Sequence, residues 1–272
     1  GLINALASRF QKDHTVSHAE FDKWDDDYAN HMREIYIKHP KNPDVMALFA
    51  EALITRTPWK LWDVNTGKPL KNSHVIEAVE AIDAALKVSP NHPAALHFHI
   101  HATEMSATPE VALNSANVLG SLCPDAGHMN HMPGHTYVLC GLYEEAKIAS
   151  EKAICADKMY LDYAGPYNFY TTARCHDLHL MMYACMFLGQ LKPALQASHD
   201  VRDTLSLEVL SVEGRPKLAV TLEGYYSMLV HVLVRFGMWQ EIIDTPMPPC
   251  ADLYRVSTPM HHYAKTIAYA TL

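Results

Sequence analysis

The sequence predicts an all-α protein made of antiparallel helix pairs wound into a right-handed superhelix. Three observations predict it. Hydrophobic residues fill 49% of the 272 positions and only 11 are glycine, the composition of an ordered, helix-rich chain. No β-alternation of any length appears. Three segments, "YVLCGLYEEA", "CMFLGQLKPA" and "LVRFGMWQEI", share an apolar run, a glycine, one further residue and a large apolar one. Their glycines, Gly141, Gly189 and Gly237, are spaced 48 residues apart.

Self-similarity at such a period marks a solenoid of helix pairs. The Gly-x-Tyr/Leu/Trp piece reads as the tight turn between helix A and helix B of a tetratricopeptide-like (TPR-like) unit. A weaker copy turns at "MSATPEVAL", with Ser106 near the glycine position. The expectation is a single TPR-like α-solenoid domain over 1–272.

The elements follow in order. "HAEFDKWDDDYANHMREIYIKHP" and "NPDVMALFAEAL" read as a first pair, then a helix from about Ser73 to Val88. Helix A candidates are 91–105, 127–140, 171–188 and 221–236. Helix B candidates are 109–122, 142–157, 191–205 and 238–244. Asn42, Asn72 or Ser73, and Asn91 are expected N-caps. A last helix starts near Thr258, with Pro259 in its first turn. Three segments are irregular: "RTPWKLWDVNTGKP" with Trp59 and Trp62, "YLDYAGPYNFY" at 160–170, and "SLEVLSVEGRPKLAV". Loops this long and aromatic either plug the solenoid or form a lid or pocket wall.

Composition excludes several classes. The net charge is −8 and no Lys/Arg-rich run appears, so neither nucleic acid nor an anionic membrane is the expected partner. The longest apolar stretches are far shorter than a membrane span, and no signal-peptide pattern is visible. The six cysteines include no CxxC pair, which leaves reduced, buried thiols of a cytoplasmic protein as the expectation. GxGxxG, P-loop, GxSxG and HExxH signatures are missing. Cys175 beside His176 does not make a nucleophile pair, because helix neighbours do not face each other.

Histidine is the anomaly, at 18 residues. Imidazole is costly to bury unpaired and titrates near neutrality. His14, His18, His31, His39 and His74 lie in polar surroundings and read as exposed. The others fall in register. His131 and His179 each stand ten residues before a turn glycine, and His135 and His231 each stand six before one. His97 and His101 stand nine and five before Ser106. Equivalent positions on successive A helices therefore carry imidazoles toward one inner wall.

"HFHIHATE" sets His97, His101 and Glu104 at i, i+4 and i+7 on one helix face. "RCHDLH" sets His176 and His179 one turn apart. Ligand pairs on neighbouring helices are how bundle metal sites are built. In "CPDAGHMNHMPGHTYVLCG", Asp125 would cap a helix carrying His128, His131 and His135. Pro133 would then kink it and re-aim His131 against His135. The alternative is that Pro133 starts the helix and His131 lies in the loop before it. His99 reads as a core or substrate-facing residue and His231 as a core residue, and of the adjacent His261 and His262 at most one is a ligand.

At these residues the chain resembles a family of TPR-repeat proteins found mainly in bacteria. The pieces are "HFHIHATEMSATPEVAL", "GHMNHMPGHTY", "CHDLH", "LVRFGMWQEII", "HHYAKTIAYA" and "ALFAEALITRTPWKLWD". The resemblance covers almost the whole chain and implies a repeat fold, further repeats upstream, and a His-rich site. Gly134 stands where the family usually has Ser, and Cys175-His176-Asp177 where His-Asn is usual.

The expected function is that of a metal-dependent enzyme with its centre on the concave face. Its candidate ligands are His97, His101, His128, His131, His135, His176 and His179. Glu104 would be a ligand or a base orienting an imidazole. A nearly all-imidazole set favours copper, with zinc or iron as alternatives. The expectation is a copper-type oxidoreductase acting on a small, phenolic or amino-acid-derived molecule. Tyr170 would join Glu104 in catalysis, and Tyr137, Tyr167 and Arg235 would bind substrate. Other classes stay open: a TPR scaffold holding a peptide or protein partner in its groove, or a metal carrier.

Overall fold

The computed structural model describes residues 1–213 and 218–272. Among the described residues there is no strand, only an isolated bridge between Trp62 and Pro69. Two compact units are present, Gly1–Cys123 and Pro124–Leu272. None of the described helices is long and apolar enough to cross a membrane.

The first unit contains α1 (Leu2–Arg9), α2 (His18–Lys38), α3 (Pro43–Ile54), α4 (Val75–Val88) and α5 (Pro93–Thr103). A 3-10 turn at Pro109–Ala112 then runs into α6 (Leu113–Leu119). Its core gathers Met32, Phe49, Leu53 and Ile82, each side chain worth about 1.5–3 kcal/mol when withdrawn from water. Tyr36 stacks on Phe49 at 5.0 Å. Periodicity does not predict α1, whose one buried residue is Ala5. Asn42 caps α3, accepting from the Val45 N–H at 3.1 Å. The cap of α5 is His92 rather than Asn91. Its Nδ1 accepts the Ala95 N–H at 3.2 Å while Nε2 meets Asp44 at 3.0 Å. One of the surplus imidazoles is thus a structural cap.

The second unit begins with α7 (Gly127–Leu139), α8 (Tyr143–Ala164), α9 (Thr171–Phe187) and α10 (Leu191–Thr204). Two short helices follow, α11 (Leu207–Leu210) and α12 (Leu218–Leu222), then a 3-10 turn at Glu223–Ser227. It closes with α13 (Met228–Arg235), α14 (Trp239–Asp244) and α15 (Ser257–Thr271). Helix α7 packs on α8, α8 on α9, α9 on α10, and α10 on α13.

The repeated glycine motif is one turn built three times. Gly141, Gly189 and Gly237 all have positive φ, at 75°, 69° and 67°. After each, the next N–H reaches back over the turn: Leu142 to Tyr137 O at 2.8 Å, Gln190 to Cys185 O and Met238 to Leu233 O at 2.9 Å. This is the Schellman closure, which needs a left-handed residue just past the helix end. Glycine adopts it without Cβ strain.

Two elements differ most from expectation. Helix α8 runs to Ala164 rather than 157, because nothing breaks it before Gly165 and Pro166. Tyr160 and Tyr163 are therefore helical, and the connection shrinks to 165–170. The helix expected over 221–236 is interrupted. A 3-10 turn takes Glu223–Ser227, where the Glu223 carboxylate accepts the Val256 and Ser257 N–H groups at the start of α15, at 2.7 and 3.2 Å. The connection "SLEVLSVEGRPKLAV" lies partly at 214–217, outside the described residues.

Candidate metal centre

Helix α7 carries the centre. It is buried on nearly every side: Asn130, His131, Met132, Pro133, Gly134 and Thr136 are all inside. A helix that spends buried positions on polar side chains needs partners for them. Its entrance is held by Asn130, whose Nδ2 donates to the carbonyls of Pro124 and Ala126 at 2.9 and 3.0 Å. Asp125 does not cap it; the N-cap is Ala126. The helix starts at Gly127 and runs through Pro133, so His131 is helical rather than a loop residue.

Two residues allow neighbours to come close. A Cβ on Gly127 would lie 2.0 Å from Asp157 Oδ1 and 2.7 Å from the Tyr170 hydroxyl. A Cβ on Gly134 would lie 2.5 Å from Leu180 Cδ2 on α9.

Three imidazoles converge between α7 and α9. His131, His135 and His176 each offer a ring nitrogen within 4.8 Å of the others. The ring centroids of His131 and His176 are 4.3 Å apart, and those of His131 and His135 4.8 Å apart. His131 Nε2 and His135 Nε2 are separated by 2.8 Å. Two nitrogens at that distance share one proton when no metal is bound. A tetrahedral ion with Zn–N-type bonds sets its ligand nitrogens about 3.3 Å apart, so small rotamer adjustments suffice to admit one. The donor set and spacing fit a transition metal.

Behind His131 stands a buried carboxyl. Asp177 Oδ1 lies 3.0 Å from His131 Nδ1, and both side chains are fully buried at 0% exposure. The two atoms are close but not aligned for a hydrogen bond; a proton on Nδ1 turned toward Asp177 would leave the Nε2 lone pair for a metal, the carboxylate–histidine arrangement that orients metal ligands. Asp177 in turn lies against Asp157. Burial raises the pKa of both, and for Asp177 the neighbouring carboxylate adds to it. Two buried carboxyls in contact cannot both ionise cheaply, so the pair shares a proton. The Tyr170 hydroxyl donates to Asp157 Oδ1 at 2.7 Å, and burial raises the phenol above its ordinary range.

Asp177 and Asp157 are the residues that histidine spacing misses. A signal exists for each. Asp177 occupies a position in register with the buried Met181 and Ala184. Asp157 continues the buried stripe of Ala146, Ala149 and Ala153. A carboxylate at an apolar helix position is rare unless paired.

The other expected site residues are placed as follows. His128 stacks on His131 with centroids 6.1 Å apart. His179 turns instead to Tyr225, at 5.5 Å; burial, then His231, lowers its pKa. Tyr170 supports Asp157. Tyr167 is exposed and donates to Glu208 at 2.9 Å. Tyr137 is half-buried, its phenol pushed up by burial and then by Glu145. Arg235 is exposed at the end of α13.

In the first unit, His97 and His101 on α5 meet edge to face at 4.7 Å. His101 Nδ1 lies 3.0 Å from Glu104 Oε1. His99 is a core residue bonded to Ser115 Oγ at 2.7 Å, and His261 is likewise buried, on the Ser257 carbonyl at 2.8 Å.

No protein-family model matches the chain, and no curated protein matches it either.

Proposed function

We propose that the protein is a metal-dependent oxidoreductase whose ion is held by His131, His135 and His176. The observation that carries this reading is the convergence of three ring nitrogens within 4.8 Å, one of them backed by a buried carboxyl. An all-imidazole donor set suits copper first and zinc next. Copper held there would supply one-electron chemistry toward dioxygen on a small phenolic or amino-acid-derived substrate. The chain's own groups have separable tasks. Asp177 fixes the His131 tautomer, Asp157 and Tyr170 fix Asp177, and Gly127 leaves room for both. Tyr170 enters this reading as a positioning group. The reading keeps the protein in the cytoplasm, where the buried thiols of Cys175 and Cys185 stay reduced.

The test is elemental analysis of protein purified without chelators, beside His135→Ala and His176→Ala. Stoichiometric metal in the parent and its loss from both variants is the expected result. Dioxygen uptake with the copper-loaded but not the zinc-loaded parent would separate redox from hydrolytic chemistry. A parent that takes up neither copper nor zinc on titration refutes the proposal.

A second reading rests on the three identical Schellman turns. They support a TPR-like right-handed superhelix of helix pairs, related to the TPR-repeat family that the sequence resembles. Such a fold commonly offers a groove to a peptide. Peptide capture that survives metal removal would favour it.

A further inference from the structure

The first unit contains a cavity of about 350 Å³ that the metal centre does not use. Trp59, Phe98 and Met105 form part of its apolar wall, and Glu51, His101 and Glu104 part of its polar one. We propose that this cavity binds a small arylalkylamine, its ring against Trp59 and its ammonium toward Glu104 and Glu51.

Trp59 is the first argument. Its φ is 58°, a left-handed conformation that a bulky residue adopts only under constraint. The residue is nevertheless 80% exposed, so burial does not explain it. The loop around it is pinned. Trp62 Nε1 donates to the Ala102 carbonyl at 2.7 Å, Leu61 is buried, and Asp63 Oδ1 accepts from Asn65 and Thr66 at 3.0 and 2.9 Å. A loop tied down by these contacts thus holds an indole at the cavity in a conformation glycine would adopt more easily. Backbone outliers of this kind cluster at ligand clamps.

Charge is the second argument. Two carboxylates line the cavity, and among the described residues no Lys or Arg does. Arg9 reaches Glu51 from behind at 2.8 Å but is shared with Asp25 at 3.3 Å. That group of three keeps a net negative charge, and Glu104, bonded to His101 at 3.0 Å, is the second carboxylate on the wall. An aromatic wall beside carboxylates selects an organic cation over an anion. The size lies at the small end of ligand sites, room for one ring and a short amine chain.

The inference rests on the first unit alone and is tested on metal-free protein. Its failure would leave the His131 centre standing, and failure of that centre would leave this cavity. Tyramine, 4-ethylphenol and 4-hydroxyphenylacetate are titrated by calorimetry in the presence of a chelator. Tyramine is expected to bind saturably, at least tenfold tighter than the carboxylate. Glu104→Gln should weaken tyramine and leave 4-ethylphenol unchanged. Trp59→Gly should weaken tyramine at least tenfold while melting at or above the parent temperature. The proposal is overturned if the carboxylate binds as tightly as the amine, or if tyramine shows no saturable binding in the millimolar range. It is also overturned if Trp59→Gly binds like the parent, or if that variant melts lower, which would assign the indole to packing.

Discussion

Asp177→Asn separates the two roles of the carboxyl behind His131. In metal-free protein Asp177 shares a proton with Asp157, because burial and the neighbouring carboxylate push its pKa up. A neutral amide of the same shape imitates that state and keeps an acceptor oxygen 3.0 Å from His131 Nδ1. Metal-free stability should therefore change little. When a cation binds Nε2, the positive charge favours an ionised Asp177, and asparagine cannot supply it. Loss of such an outer partner costs about 10–100-fold in metal affinity, equivalent to about 1.4–2.7 kcal/mol. Asp177→Leu removes the acceptor as well. It leaves a buried N–H unsatisfied at about 1–3 kcal/mol, a Tm loss of about 2–4 °C per kcal/mol for a chain of this size. The assay is competition for copper or zinc against a chelator of known affinity, with melting curves of the metal-free forms. Unchanged affinity in Asp177→Asn would refute the orienting role. A large Tm loss in Asp177→Asn, matching that of Asp177→Leu, would refute the shared proton.

Other outcomes follow from neighbouring geometry. Gly127→Ala places a methyl 2.0 Å from Asp157 Oδ1 and should cost about 1–3 kcal/mol as an overpacked contact; a Tm equal to the parent's would contradict it. His176→Ala should abolish metal uptake, whereas His179→Ala, whose ring packs on Tyr225, should keep it; equal loss in both would show the ligand set to be wider. Burial lowers the pKa of His99, His231 and His261. The unfolded chain then binds more protons below their usual value of 6.5, so these groups stabilise the fold above it and that stability is lost as pH falls. The raised Asp177 acts with the opposite sign, losing its contribution as pH rises through its folded value, so denaturant titrations belong in the Asp177→Asn background. A flat or rising stability from about pH 7 to pH 5 would contradict this role of the buried histidines.

Much of this was legible in the chain. The left-handed glycine turns followed from a local rule: only a residue free of Cβ strain ends a helix this way, so the motif recurs wherever the turn does. A helix over 127–140 was readable too, but not whether it passes through Pro133, which decides that His131 and His135 stand one turn apart. Other features depended on contacts distant in sequence. The 3-10 turn at Glu223–Ser227 coincides with bonds from the Val256 and Ser257 N–H groups to the Glu223 carboxylate, which no local propensity encodes. The extension of α8 to Ala164 depended on how soon a breaker appears rather than on the repeat length.

For the centre itself, the sequence determined which side chains were available and which segments carry them. It could not choose His176 over His179. Both lie on α9 one turn apart, and which one faces α7 depends on the rotation of α9 against it. That rotation reflects close packing: Gly134 admits Leu180, and Asp177 has to reach His131 from inside the core. The partnership of Asp177 with Asp157 and Tyr170 is likewise a tertiary outcome. Buried polar groups must find partners, and only the packed helices decide which ones they meet.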